Sequence, residues 1–400
     1  MVGTFDGMRL GRTVAVVLAV VLLQACTPRG GGAQQGQVSA SAGPHAGHAS
    51  VSAPPPQPLR AGERFVELGL QRPFKPAPAK GTDEYRCFLI DPGLKEPAYI
   101  TGSQFLPDHP AIVHHAIFFR VQPEDVPDAK SLDNAHAGDG WTCFGGTGIA
   151  TDSVFRQFSG GGSAWIGAWA PGGAEVLLAE NIGYEMAAGS QIVMQIHYNT
   201  LSVKGAADRS GMRLRLKEGG AKLEPLWTML LPAPVELPCA PGEDGPLCDR
   251  SKAISDLKTR FGNQAGTIVS GLSMGCNRGQ NKPGPVQSCS IPVRETGVIH
   301  AIAGHMHLLG RSIKVELNPG TSKAKTLLDV PAYNFDDQRA IPLAQPARIK
   351  LGDTLKVTCT HDAGLRGMLP ALKSVEPRYV VWGEGTSDEM CLGVINWTRS

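Results

Sequence analysis

The sequence predicts an all-β protein made of antiparallel β-sandwich domains, and three observations carry that prediction. Glycine and proline number 49 and 31 in 400 residues, so chain breakers come too often for long helices. Short strand-like runs recur with turn signals between them: Ala111–Arg120, Glu175–Leu178, Gln191–Tyr198, Met212–Leu216, Val298–Leu309, Ser312–Leu317, Thr354–Cys359 and Arg378–Trp382. Only Ser251–Gly262 has helical periodicity, with Ile254, Leu257 and Phe261 on one face. It lies between two close cysteine pairs, so it reads as one short helix in a disulfide-bracketed insertion. Many strands without an alternating helix pattern favour sandwiches over a layered α/β fold.

From the start of the chain, Arg9 and Arg12 precede the apolar run Val14 to Leu23, which ends in Leu23-Gln24-Ala25-Cys26. The run is too short to span a bilayer and suits a secretory signal. Its ending resembles a bacterial lipobox, although Gln24 is an unusual middle residue and a plain small-residue cleavage site is the alternative. Residues 1–26 are therefore expected to be a lipoprotein signal peptide. Cys26 would be lipidated and the protein exported, anchored to a bacterial membrane facing the periplasm or the cell surface. Translation from Met1 or from Met8 fits equally.

Residues 27–64 read as a disordered linker. Between Thr27 and Arg60 the large apolar residues are Val38, Val51 and Leu59, too few to build a core. His45 and His48 are solvated linker residues on this reading. A net charge of +2 with 18% charged residues gives no sign of a nucleic-acid partner.

There are nine cysteines, and setting Cys26 aside leaves an even number, as expected for disulfides in an oxidising compartment. Cys239 with Cys248 and Cys276 with Cys289 flank short Pro/Gly-rich loops and read as local staples. Cys87, Cys143, Cys359 and Cys391 remain for longer closures. No C-x-x-C pair occurs, which discounts a zinc site.

The histidines suggest a different metal. His305 and His307 sit in Val298–Leu309 and share a face if that run is one strand. His114 and His115 are adjacent, so both can serve one ion only if their strand is bulged. His197 shares a face with Val193 and Gln195, and Met390 lies in Gly-Thr-Ser-Asp-Glu-Met-Cys. Each alone has a bland reading as packing or a surface group. His300 and Met306 fall on the opposite face from His305 and read as packing. His361 reads as a surface turn, with a place behind the metal ligands as the alternative, and His109 and His136 read as solvated loop residues. Gly160-Gly161-Gly162 lacks the strand–helix setting of a phosphate loop.

Together these residues resemble the copper type II, ascorbate-dependent monooxygenases. The resemblance spans roughly residues 80 to 398 and is carried by seven ordered matches. They are Tyr85-Arg86-Cys87, Val113-His114-His115, Ala168-Trp169-Ala170, Gln195-Ile196-His197-Tyr198, His305 to Gly310, Gly352 to Cys359, and Ser387-Asp388-Glu389-Met390-Cys391. The resemblance implies two domains facing across a cleft, 65–217 with an electron-transfer copper and 218–400 with an oxygen-binding copper. Lys217–Ala221 is the best candidate for the boundary. It assigns His114, His115 and His197 to the first copper, and His305, His307 and Met390, the catalytic set, to the second. A thioether suits Cu(I), and a ligand set without carboxylates argues against calcium or magnesium. The resemblance also implies disulfides Cys87–Cys143 and Cys359–Cys391.

In such enzymes two copper ions, dioxygen and a reductant such as ascorbate hydroxylate a substrate C–H bond. The second electron comes from the three-histidine copper. Where the peptide-amidating branch binds a substrate carboxylate, this chain has Ala303, Leu392 and Val394, so the expected substrate is small and apolar. The alternative is a non-catalytic lipoprotein that buffers copper. A structural sandwich that merely kept these residues is a third reading.

Overall fold

The computed structural model describes residues 54–400 apart from 80, 137, 144–145, 150–164, 172, 219 and 221. The predicted signal peptide, Cys26, His45, His48 and Gly160-Gly161-Gly162 lie outside the described residues. Most of the linker does too.

Runs that alternate buried and exposed side chains become strands, and the strands pair almost entirely antiparallel. One sheet takes the order Trp141–Thr142, Asp83–Ile90, Gln191–Asn199, Val113–Val121, Trp165–Trp169. Another takes Val286–Pro292, Thr354–His361, Gly310–Leu317, Lys325–Val330. A longer sheet runs from Glu63–Gly69 through Gly211–Lys217, Ala98–Leu106, Ile182–Met186, Glu224–Pro232, Leu392–Arg399 and Gly297–His305 to Ile341–Ile349. Its one parallel pairing, Ile182–Met186 with Glu224–Pro232, joins the two halves of the molecule.

The first half of the long sheet covers the five-stranded sheet over a core from Leu70 to Leu226, and the second half covers the four-stranded sheet over a core from Leu230 to Trp397. The changeover falls inside strand Glu224–Pro232, just past the Lys217–Ala221 boundary expected from the sequence, where residues 219 and 221 are outside the described set. At Gly304 a Cβ would lie 2.5 Å from Ile313 Cγ2, so glycine lets the long sheet close on its partner there.

Three details differ from expectation. The run Val298–Leu309 is strand only as far as His305, and a bulge at Ile299/Ala301 breaks its alternation at His300, whose Nε2 meets Thr398 Oγ1 at 2.9 Å. The insertion holds a helical hairpin rather than a single helix: Arg250–Phe261, capped by the Asp249 side chain on Lys252 N, then Asn263–Asn277. Gly262, at φ +86°, makes the turn. The second helix was hidden by Gly266, Gly271 and Gly275, which depress helix propensity. Gly266 packs where a Cβ would fall 2.1 Å from Lys258 Cε. Short helices also form at Val126–Asn134 and Leu365–Met368.

All four disulfides form: Cys87–Cys143, Cys239–Cys248, Cys276–Cys289 and Cys359–Cys391. They suit an exported protein. No helix among the described residues is long and apolar enough to cross a membrane.

Candidate metal centre

Strands Val113–Val121 and Gln191–Asn199 lie side by side and set His115 directly opposite His197. The register shifts between Val113 and His115, which is the bulge that an adjacent pair of ligands requires. His114 and His115 therefore both turn toward His197. One nitrogen from each of the three lies within 4.8 Å of the other two, and the Nδ1 atoms of His114 and His115 are 3.4 Å apart.

His197 is oriented from behind. Its Nε2 meets Asp83 Oδ1 at 2.9 Å, and the Tyr85 ring stacks on its imidazole at 4.1 Å. A carboxylate on Nε2–H leaves the lone pair on Nδ1, which lies 3.1 Å from the Tyr85 hydroxyl. Burial works against the Asp83 charge, but His197, Thr386 and Asn199 hold its pKa below the usual carboxylate range. Asp83 also accepts from Thr386 Oγ1 at 2.7 Å, and Tyr85 donates to Glu384 O. The entry strand of the first half thus grips the loop that leads to Met390.

His305 ends its strand and His307 sits in the following turn, yet their rings are 5.2 Å apart. The shared face predicted from strand alternation is reached here by a turn. His305 Nδ1 meets Gln338 Oε1 at 2.5 Å and His307 Nδ1 meets Asp388 O at 3.1 Å. Both partners are acceptors, so Nδ1–H donates and Nε2 is left with its lone pair on each ring.

Met390 is 8% exposed and its backbone is fixed by the neighbouring carboxyl. Glu389 accepts from the backbone N–H of Met390 at 3.1 Å, of His307 at 2.8 Å and of Leu309 at 2.6 Å. Burial pushes Glu389 up to about 8, opposed by these three donors. Cys391, the next residue, is tied to Cys359.

The two histidine sets meet, with the His115 and His305 rings 6.1 Å apart. A loop of the second half spans both. Tyr333 OH donates to Met306 O and accepts from Met306 N, Phe335 packs on His114 at 5.0 Å, and Gln338 holds His305. Burial, with the other histidines adding to it, holds His114 and His115 well below the usual imidazole range. Burial also lowers His305 to about 4 and His307 to about 3. All four are neutral at pH 7, the form that ligates a metal.

Among the other sequence-singled residues, Met306 is fully buried packing and His136 is exposed, as read. His109 is half-buried, not solvated. For His361 the surface-turn reading is corrected in favour of its alternative, a place behind the proposed ligands. The residue is 2% exposed, with Nε2 3.2 Å from Met390 O and 3.6 Å from Glu389 Oε2, because its strand continues past Cys359 and carries it inward. Sequence reasoning missed Asp83, Gln338 and Tyr333. Asp83 had a signal, two residues before Tyr85; Gln338 and Tyr333 had none. Ala303 pairs with Val394, both half-buried, and Leu392 stands opposite His305.

On an all-β scaffold, His114, His115 and His197 form a group that could hold a metal ion. Residues 285–398 match the family model "Copper type II ascorbate-dependent monooxygenase, C-terminal domain". Among solved structures, an allantoicase is 12% identical, covering 83% of this chain and 90% of that one, with a TM-score of 0.20. Dimeric latent PorU from Porphyromonas gingivalis is 11% identical, covering 80% of this chain and 25% of that one, with a TM-score of 0.14. These two likenesses carry no argument.

Proposed function

We propose that the protein is a copper-dependent monooxygenase that hydroxylates a substrate C–H bond, using O₂ and an external reductant such as ascorbate. The observation that carries this reading is the pairing of two half-buried to buried donor sets, one of imidazoles alone and one in which Glu389 holds the backbones of His307 and Met390 together. The donor chemistry fits copper: neutral imidazoles serve both oxidation states and a thioether favours Cu(I). Copper supplies one-electron chemistry with O₂, one oxygen atom entering the C–H bond and the other leaving as water, with two electrons from the reductant.

The chain's own residues do the rest. His114, His115 and His197 would hold one ion, with Asp83 fixing the His197 tautomer. His305, His307 and Met390 would hold the other, with Gln338 and Asp388 O turning both Nε2 atoms inward. Ala303, Val394 and Leu392 offer the substrate an apolar surface and keep water from the reacting bond. On this reading residues 65–217 and 218–400 are the two copper domains, and Cys26 ties the protein to a membrane by a lipid.

The test is copper stoichiometry with turnover. Wild type should bind two coppers and consume O₂ with reductant and a C–H substrate. Met390→Ala should keep the three-histidine copper, weaken the other and abolish turnover. Two stable coppers with no substrate-dependent product would favour the copper-buffering reading instead. Loss of both coppers in Met390→Ala would make Met390 a structural residue.

A further inference from the structure

The strand register defines a second end to the site. His305 stands opposite Leu392, Ala303 opposite Val394, and Ala301 opposite Asn396. One strand further, Val394 stands opposite Leu230 and Asn396 opposite Thr228. Paired residues of antiparallel strands share a face. One face therefore runs from His305, across the apolar Ala303, Val394 and Leu230, to Ala301, Asn396 and Thr228. His305 and Ala301 are four residues apart, about 13 Å along the strand.

The far end of this face is polar and its hydrogen bonds have one direction. Thr228 Oγ1 donates to Trp165 O at 3.0 Å, since a carbonyl can only accept. Tyr184 OH, 3.1 Å from Thr228 Oγ1, must then supply the proton between them. The Tyr184 oxygen in turn accepts from Asn396 Nδ2 at 2.5 Å. This relay fixes the Asn396 amide with its NH₂ toward Tyr184 and its Oδ1 turned away. Among the described residues Asn396 Oδ1 receives no hydrogen bond, and Asn396 is half-buried, so this acceptor is reachable. Arg120 and Arg399 stack on Trp227, which alternates onto the other face of its strand, and the Arg120 charge also reaches the Tyr184 hydroxyl.

We propose that Asn396, held by Tyr184 and Thr228, is a subsite for the neutral hydrogen-bond donor of an otherwise apolar substrate. The donor would be an amide N–H or a hydroxyl, and the body of the molecule would lie over Ala303 and Val394 with a C–H bond presented at His305. The inference rests on the monooxygenase reading and adds the substrate class. A carboxylate is disfavoured, because it brings only acceptors to the Asn396 acceptor and has no hydrogen to give it.

The probes are octanamide, octanoate and octylammonium, alike in length and different in head group. Binding to the copper-loaded protein is measured by calorimetry, and oxidised product by mass spectrometry in the same samples. Wild type should prefer octanamide to octanoate by about ten-fold, the worth of one buried hydrogen bond. Asn396→Leu should erase that preference. Asn396→Asp should turn the preference toward octylammonium. Melting temperature and copper content report whether each variant folds, and the Asn396→Asp gain cannot come from misfolding. Wild type that shows no preference, or Asn396→Leu that keeps it, overturns the subsite. Head-group preference without any oxidised product would leave the subsite standing and sink the monooxygenase reading. Oxidation without preference would do the reverse.

Discussion

Asp83 serves both halves of the site at once. One of its oxygens takes His197 Nε2, Asn199 Nδ2 and Thr386 Oγ1 at 2.7–2.9 Å. Replacing Asp83 by Asn keeps the shape but removes the charge and permits the wrong His197 tautomer. Metal affinity of the three-histidine set should fall on the order of 10- to 100-fold, read by competition with a chelator. Gln338→Ala should do the same to the His305/His307 set and spare the other; equal loss at both sets would refute separate second-layer roles. The proposed ligands stand out in the sequence by residue type: paired histidines, and a methionine beside a cysteine. Their orienting partners were not. Gln338 and Tyr333 come from an aperiodic loop, and only folding brings them to His305 and Met306.

At the scale of elements, the helical hairpin is coupled to the site through Arg260. Its guanidinium takes both oxygens of Asp388, at 2.6 and 3.0 Å, and the Asp388 carbonyl takes His307 Nδ1. Arg260→Met should leave Asp388, 4% exposed on its side chain, without its ionic partner. The expected cost is about 3–5 kcal/mol in denaturant unfolding, together with weaker copper binding beside His307. An unchanged unfolding midpoint would show the hairpin to be independent. The first helix of this pair was visible in its apolar spacing. The second was not, since its buried Ala265, Ile268, Val269 and Leu272 are interleaved with glycines and hydroxyls. Strand interiors were easier to place than strand ends: the His305 terminus depends on the turn after it, where Glu389 takes the N–H groups of His307 and Leu309.

Across the whole molecule, two sandwiches share one long sheet, and the chain enters that sheet through a buried clamp. Arg215, fully buried, pairs with Glu63 and Glu175 and donates to the carbonyls of Gln57 and Pro58 at 2.7 and 2.9 Å. A protein beginning at Arg60 should be less stable than one beginning at Pro54 by on the order of 2–4 kcal/mol in chemical denaturation, because those bonds are lost from a buried cation. Equal stability would mean that Glu63 and Glu175 suffice. The sandwich class followed from composition and alternation, but the clamp did not, since an arginine in a strand reads as a surface residue until its partners are in place.

That clamp also decides where a mechanical load would go. A pull on the chain before Pro54 arrives at strand Gly211–Lys217, where Arg215 sits. Four strands of the long sheet, Ala98–Leu106, Ile182–Met186, Glu224–Pro232 and Leu392–Arg399, stand between it and the strand that ends in His305. Tension would be spread over their backbone hydrogen bonds before it reached His305.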